Sequence, residues 1–347
     1  MKRFILKLLP FLTFIALIQF ILPVLIDPFH VFNWTNFRDN GIDTNANYSK
    51  MKKLLKNPDK YKFNAFIFGS SRTGFINEEK FTRDKCENMS YSMGIPADHL
   101  LNLQTMLKHN MHLKKIFIGI DSMSHIVSLK QHIWDPTRCP YEFLADDNGN
   151  YTRHFLELYA NPIYLPGALR EMFTNYLYPQ ENDSNVHDYG YVNHFDWNGN
   201  DVKPTMGQLG YKTYAEGIAT TLNDIREIKN LCDENNIELV IFTNPMHRIT
   251  YIRSLEIGYL NFLKGLAEIT DFYNFSSLND ITTNNENYLE TSHYRAEVGD
   301  LIIDVIYNGK KFDGLYEQGF GVKVNRNNID ELIKLLEQQW QDYKRES

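Results

Sequence analysis

Length, composition and charge set the first limits on this protein. The chain has 347 residues, 43% of them hydrophobic and 14% aromatic, which is enough to bury one large core or two smaller ones. Its formal net charge is −7 and no basic stripe stands out, so we predict no nucleic-acid partner. We find no internal repeat with a period of about 20 to 50 residues.

The cysteines do not predict a metal centre. There are three, Cys86, Cys139 and Cys232, and they have neither C-x-x-C spacing nor a histidine at the spacing of a zinc ligand. We therefore predict no metal and no cofactor. Cys232 falls in a predicted helix, where a buried free thiol is expected. Cys86 and Cys139 would be able to pair if the domain is exported, and the sequence leaves this open.

The N-terminus predicts a single membrane anchor over residues 4–26. This stretch is mainly apolar, with Lys2 and Arg3 before it and Asp27 after it. At about 1.5 Å per residue, a helix of this length crosses a bilayer core, and the positive-inside rule places the rest of the chain outside the cytoplasm. A cleaved signal peptide is one alternative, although no A-x-A cleavage site is present. A buried core helix is another.

From residue 61 onward, apolar strand-like runs alternate with stretches that have helical spacing. The predicted strands are 63–68, 115–120, 237–243 and 271–275. The predicted helices are 97–108, 213–235, 252–269, 296–307 and 328–343. This alternation predicts an α/β fold, with a parallel sheet that is covered by helices on both faces.

Other segments flank and interrupt these elements. We predict a lead-in over 27–60, an α/β domain over 61–310 and a tail with one helix over 311–347. The domain is interrupted at 122–212 by a segment rich in Tyr, Pro, Asn, His and Trp. Because structureless loops of this length are uncommon, we interpret the segment as an inserted cap. Its predicted short helices are 153–159 and 166–176. Its aromatic side chains either stack on sugars or pack the cap's own core.

Three polar segments follow predicted strands and should therefore meet. They are residues 69–71, 119–121 and 243–247, each at or just after the end of a strand. In a parallel sheet these ends lie along one edge, which is where such folds bind ligands. The sequence therefore predicts a site at the carboxyl edge of the sheet.

One serine and one histidine have the surroundings that acyl-transfer chemistry needs. Ser71 follows a strand in the segment Gly69-Ser70-Ser71, where a helix N-terminus favours a developing oxyanion. Glu290 stands three residues before His293 and is able to orient the imidazole ring. A serine hydroxyl needs a base to take its proton, so we predict a catalytic triad of Ser71, His293 and Glu290. The alternatives are a strand-to-helix turn capped by Ser70 or Ser71, a role that suits serine, and a surface or capping role for His293.

These segments resemble the characteristic blocks of the SGNH (GDSL-type) hydrolase superfamily. The block Gly-Asp-Ser-x-Ser/Thr corresponds to residues 69–73, with Ser70 where the family has Asp, and this puts Ser71 at the nucleophile position. The block Asp-x-x-His corresponds to residues 290–293, with Glu in place of Asp. The resemblance implies a three-layer, flavodoxin-like sheet and an oxyanion hole formed by Ser71 and Gly94.

A third block of the family departs further from the pattern. The family's Gly-x-Asn corresponds to Gly119-Ile120-Asp121, so a carboxylate stands where an amide donor is expected. A carboxylate beside a developing oxyanion repels it unless it is protonated or turned away. Asp121, Arg72 and His247 are also our candidates for substrate contact. For Arg72 an internal salt bridge is the alternative.

A narrower resemblance concerns membrane-anchored SGNH-like proteins that acylate cell-surface polymers, such as the alginate O-acetylation proteins and the D-alanyl-lipoteichoic acid biosynthesis protein. These combine an N-terminal anchor with an extracytoplasmic domain and carry Gly-x-Ser in place of Gly-Asp-Ser. The resemblance implies a single-pass protein of the cytoplasmic (inner) membrane. Ser71 would accept an acyl group, namely acetyl, which a polytopic membrane O-acyltransferase supplies. It would then transfer this group to a hydroxyl of an envelope polysaccharide or teichoic-type polymer. The alternatives are an esterase that removes such groups and a non-catalytic glycan-binding subunit.

Overall fold

A computed structural model describes residues 61–129, 211 and 213–346, together with single positions within 8–24, 47–55 and 153–159. The chain separates into two compact units, one made of residues 1–49 and 133–181 and the other of residues 50–132 and 182–347. All elements whose bounds follow belong to the second unit.

One sheet forms the centre of this unit. Its strands are β1 (Ala65–Phe68), β2 (Cys86–Asn88), β3 (Lys115–Ile120), β4 (Glu238–Thr243), β5 (Phe272–Asn274) and β6 (Val322–Val324). They lie in the order β2-β1-β3-β4-β5-β6, and all neighbours pair in parallel except β6, which is antiparallel to β5. The predicted α/β class with a mainly parallel sheet is confirmed.

Helices connect most of the strands, as the parallel pairing requires. They are α1 (Pro96–Lys108), α2 (Tyr214–Glu234), α3 (Arg248–Glu256), α4 (Tyr259–Ala267), α5 (Ala296–Ile306), α6 (Asp313–Tyr316) and α7 (Ile329–Glu346). Apolar residues at helical spacing form one face of α7, and the first four of them are buried. These are Ile329, Leu332, Ile333 and Leu336.

The sheet carries helices on both of its faces. Successive strand residues point to opposite faces, so Ile67 and Phe117 share one face, where they belong to a buried cluster with Val298 of α5. On the other face the ring of Phe68 lies 5.6 Å from that of His99 of α1, measured between centroids. The strands are therefore buried on both sides, which explains their continuous apolar sequences.

Two details of the elements differ from the prediction. The helix predicted over 252–269 is two helices, because Gly258 between them has a φ of +94°, a left-handed conformation that favours glycine. The short strands β2 and β6 were not predicted. With three residues each, they are too short to show an alternating pattern.

Several predicted segments lie largely outside the described residues. These are the anchor over 4–26, the lead-in over 27–60 and the cap over 122–212 with its helix at 166–176. Among the residues that are described, no helix has the length and apolar character needed to span a bilayer. Cys139 also lies outside them, whereas Cys86 and Cys232 are buried free thiols.

Candidate active site

The turn after β1, which we call the serine turn, is a 3-10 helix over Ser71–Phe75. The hydroxyl of Ser70 caps it by accepting a hydrogen bond from the Arg72 N–H at 3.3 Å. The turn folds back tightly on the end of the strand, since a Cβ placed on Gly69 would lie 2.1 Å from Thr73 Oγ1. Glycine at position 69 therefore permits the close approach that brings Ser71 to the carboxyl edge of the sheet.

The second part of the site, the histidine loop, comprises residues 288–295. An isolated antiparallel bridge between Tyr288 and Tyr294 closes it, and the Leu289 N–H donates to the His293 carbonyl at 2.9 Å. Within this loop a Glu290 carboxylate oxygen contacts His293 Nδ1 directly. The loop geometry therefore makes the acid–histidine contact locally.

The structure brings the predicted triad residues together. Ser71 Oγ lies 2.8 Å from His293 Nε2, although the two residues are 222 positions apart. Since Glu290 accepts at Nδ1, the proton belongs on that nitrogen and the Nε2 lone pair faces the Ser71 hydroxyl. The His293 and Glu290 side chains are 25% and 21% exposed, so the pair is accessible from one side. This is the geometry of a serine nucleophile with an oriented base.

The ionisation of Glu290 suits the role of an orienting acid. Burial alone raises the pKa of its carboxyl, but several contacts outweigh burial and hold the pKa below its ordinary value. They are the hydrogen bond and charge of His293, the Ser292 N–H, which donates to Glu290 Oε2 at 2.7 Å, and the charge of Arg72. Glu290 is therefore a carboxylate at neutral pH and stabilises an imidazolium at His293.

Beside the triad lies a buried ion pair between Arg72 and Asp121. Arg72 Nη1 is 2.9 Å from Asp121 Oδ2, and the two side chains are 7% and 1% exposed. The same carboxylate oxygen accepts from the Ser70 hydroxyl at 2.5 Å, while Arg72 Nε donates to the Ser292 carbonyl at 2.6 Å. Arg72 and Asp121 thus contact protein groups. Because both side chains are buried, the structure does not favour the predicted contact of either one with a substrate.

A polar layer beneath the triad was not predicted. Asn244, just after β4, donates to Thr73 Oγ1 at 3.1 Å and accepts from the Tyr294 hydroxyl at 3.0 Å. Asn88, at the end of β2, donates to the carbonyls of Thr73 and Ile76 at 3.1 and 2.9 Å. These amides join the serine turn to two strand ends and to the histidine loop. The one available signal was that Asn244 falls in a polar segment after a strand.

The two N–H groups predicted to form an oxyanion hole, those of Ser71 and Gly94, differ in their surroundings. No described residue accepts a hydrogen bond from the Ser71 N–H, which lies at the start of the serine turn. Gly94 packs against the strand end, because a Cβ on it would lie 2.3 Å from the Gly69 carbonyl oxygen. Its N–H donates to the Tyr91 carbonyl at 3.2 Å. Ser71 N–H is therefore the donor that this conformation offers to a developing oxyanion.

His247, the third candidate for substrate contact, is a buried cap of α3. Its Nδ1 accepts from the Ile249 N–H at 3.4 Å and its Nε2 donates to Asn285 Oδ1 at 3.0 Å. Burial lowers the pKa of its imidazole below the ordinary value. The structure thus places His247 as a neutral histidine within the fold rather than at an exposed surface.

Comparison with known proteins does not assign the chain to a family. No protein-family model matches the sequence, and no curated protein matches it significantly. Within the described residues, no group of three or more His, Cys, Asp and Glu side chains is arranged to hold a metal ion. The arrangement of Ser71, His293 and Glu290 is therefore the main indication of function.

Proposed function

We propose that this protein is a serine acyl-transfer enzyme of the SGNH type. It transfers an acyl group, namely acetyl, to hydroxyl groups of a cell-envelope polysaccharide or teichoic-type polymer. The observation that carries the proposal is the contact of 2.8 Å between Ser71 Oγ and His293 Nε2, with Glu290 on the other ring nitrogen. These contacts place a hydroxyl at one ring nitrogen and a carboxylate at the other, which is the order of groups in a serine–histidine–acid triad.

The reaction has two halves. In the first, His293 Nε2 takes the Ser71 proton while Oγ attacks the acyl carbonyl, and the leaving group then departs with the proton from Nε2. In the second, an acceptor hydroxyl gives its proton to Nε2 and attacks the acyl-serine carbonyl, and Ser71 leaves and recovers the proton. Glu290 remains ionised throughout and stabilises the imidazolium that forms in each half.

Local charges support catalysis at Ser71. The Ser71 N–H lies at the beginning of the turn and can donate to the oxyanion. The Asp121 carboxylate, which would repel an oxyanion, is instead bound by the Arg72 guanidinium and the Ser70 hydroxyl. Its charge is thus offset inside the fold, and the departure from the family's Gly-x-Asn does not by itself argue for a non-catalytic subunit.

The acceptor and location rest on the sequence resemblance. The strand order β2-β1-β3-β4-β5 is the flavodoxin-type order, in which ligands bind at the carboxyl ends of the strands, and this supports an SGNH-type domain. In this proposal residues 4–26 anchor the chain in the cytoplasmic membrane, the domain lies outside the cytoplasm, and a polytopic membrane O-acyltransferase supplies the acyl group.

Labelling with a serine-directed fluorophosphonate tests the nucleophile in the whole chain. We expect the parent protein to be labelled at Ser71 and Ser71→Ala to be unlabelled. Ser92→Ala is the matched control, because Ser92 is an exposed serine outside the triad, and it should be labelled like the parent. A parent chain that the probe does not label would contradict the proposal.

A second measurement separates transfer from hydrolysis. The chain is acylated with p-nitrophenyl acetate and then incubated with envelope oligosaccharides, and acetyl groups on the sugars are detected by mass spectrometry. Transfer to sugar that depends on Ser71 supports the proposal. Release of acetate alone, with removal of acetyl from pre-acetylated sugars, would favour the esterase.

A further inference from the structure

We infer that Asp121 and Arg72 are positioning residues that hold Ser71 against His293, so that the reactivity of the nucleophile depends on one buried carboxylate at the end of β3. This inference rests on the proposed function, because it concerns the same serine. It assigns the ion pair a role in aligning the triad rather than in binding substrate or oxyanion.

Asp121 contacts the two residues that flank Ser71 in the sequence. Its Oδ2 accepts from the hydroxyl of Ser70, the residue before Ser71, at 2.5 Å. The same oxygen is 2.9 Å from Nη1 of Arg72, the residue after it. Because β3 is paired in parallel with both β1 and β4, its end is a fixed support for the serine turn.

Arg72 extends this support to the base. Its Nε donates to the Ser292 carbonyl at 2.6 Å, and the N–H of Ser292 donates to Glu290 Oε2 at 2.7 Å. One guanidinium therefore connects the end of β3 with the residue between Glu290 and His293. A planar guanidinium is suited to this task, since its donors are fixed relative to one another and can engage two acceptors at once.

The two alternative roles predict different results. An Asp121 carboxylate that acted on the oxyanion would repel it, so an amide at position 121 would speed the attack by Ser71. If the carboxylate instead positions Arg72, an amide at position 121 would slow the attack by Ser71, because it leaves the buried guanidinium without its charge partner. Displacements of about 1 Å in a catalytic group can lower a rate about 100-fold, so the effect should be measurable.

The test measures the second-order rate of fluorophosphonate labelling at Ser71 in the whole chain, per folded molecule, with thermal unfolding as the folding check. We expect Asp121→Asn to be labelled at least about tenfold more slowly than the parent. The double variant of Asp121→Asn and Ser70→Asp transfers the carboxylate from position 121 to position 70, the other partner of the hydrogen bond of 2.5 Å. There it should again pair with the Arg72 guanidinium. We expect this double variant to recover most of the parent rate.

Arg72→Lys provides a second measurement if Asp121→Asn does not fold. An ammonium keeps the charge but lacks the fork that spans Asp121 and Ser292, so we expect slower labelling in a folded protein. The inference is overturned if Asp121→Asn is labelled as fast as the parent or faster, if the folded double variant is no faster than the single one, or if Arg72→Lys is labelled at the parent rate. A parent chain that is not labelled would overturn the proposed function as well.

Discussion

The serine turn and the histidine loop reach the same site by different means. In the histidine loop the candidate acid and base, Glu290 and His293, are three positions apart, and a short antiparallel bridge between Tyr288 and Tyr294 closes the loop around them. The serine turn depends on distant side chains, among them Asn88, Asn244 and Asp121 at the ends of three strands. The contact between Glu290 and His293 is thus made locally, whereas the position of Ser71 depends on residues at the ends of several strands.

Removing the base should have the largest effect on labelling. We expect His293→Ala to lower the fluorophosphonate labelling rate by about 100-fold or more, because it removes the imidazole that is placed to accept the Ser71 proton. Glu290→Gln should lower it less, since the imidazole remains but its orientation and the stability of the imidazolium are weakened. The rates are measured on folded protein near neutral pH. Equal rates in the parent and His293→Ala would show that the contact of 2.8 Å is not functional.

Tight packing under the serine turn gives a second, smaller prediction. A Cβ on Gly119 of β3 would lie 2.3 Å from Thr73 Oγ1 and 2.9 Å from the Phe242 ring. We expect Gly119→Ala to lower the free energy of unfolding by about 1–3 kcal/mol, measured by urea denaturation.

A matched glycine lies in a different environment. A Cβ on Gly314 of α6 would meet no heavy atom within 4 Å. Gly314→Ala should therefore change the unfolding free energy by about 0.5 kcal/mol or less. If the two variants lost the same stability, the claim that close packing holds the serine turn would be wrong.

The smallest expected effect concerns the histidine loop at low pH. The pKa of Glu290 is lowered from its ordinary value of 4.5 in the folded protein, so its contribution to stability is complete above that value. The contribution is lost as the pH falls from about 4.5 through the folded pKa, and it amounts to about 1 kcal/mol or less because the pair is partly exposed. Unfolding of the parent and of Glu290→Gln, compared at neutral and at acid pH, measures it. The stability difference between them should shrink toward acid, and a constant difference would contradict the assignment.

Much of the fold was predictable from local patterns. Strand β3 was predicted with its observed bounds, and helix α5 differs from its prediction by one residue at its end. These elements have continuous apolar runs or helical spacing, which a single sequence displays directly. The short edge strands β2 and β6 have no such pattern, and they form because the neighbouring strands offer them hydrogen-bonding partners.

The amino-acid sequence specifies the chemical groups of the site without reference to the fold: a serine after the first strand, and a glutamate and histidine three positions apart near the end of the domain. Only the folded chain shows that Ser71 meets His293, and that Asp121 faces Arg72 and Ser70 rather than an acyl group. Contacts between residues close in sequence follow from the local conformation of the backbone. Contacts between distant residues, such as Ser70 with Asp121 and Arg72 with Ser292, depend on strand order and register, and these are properties of the whole sheet.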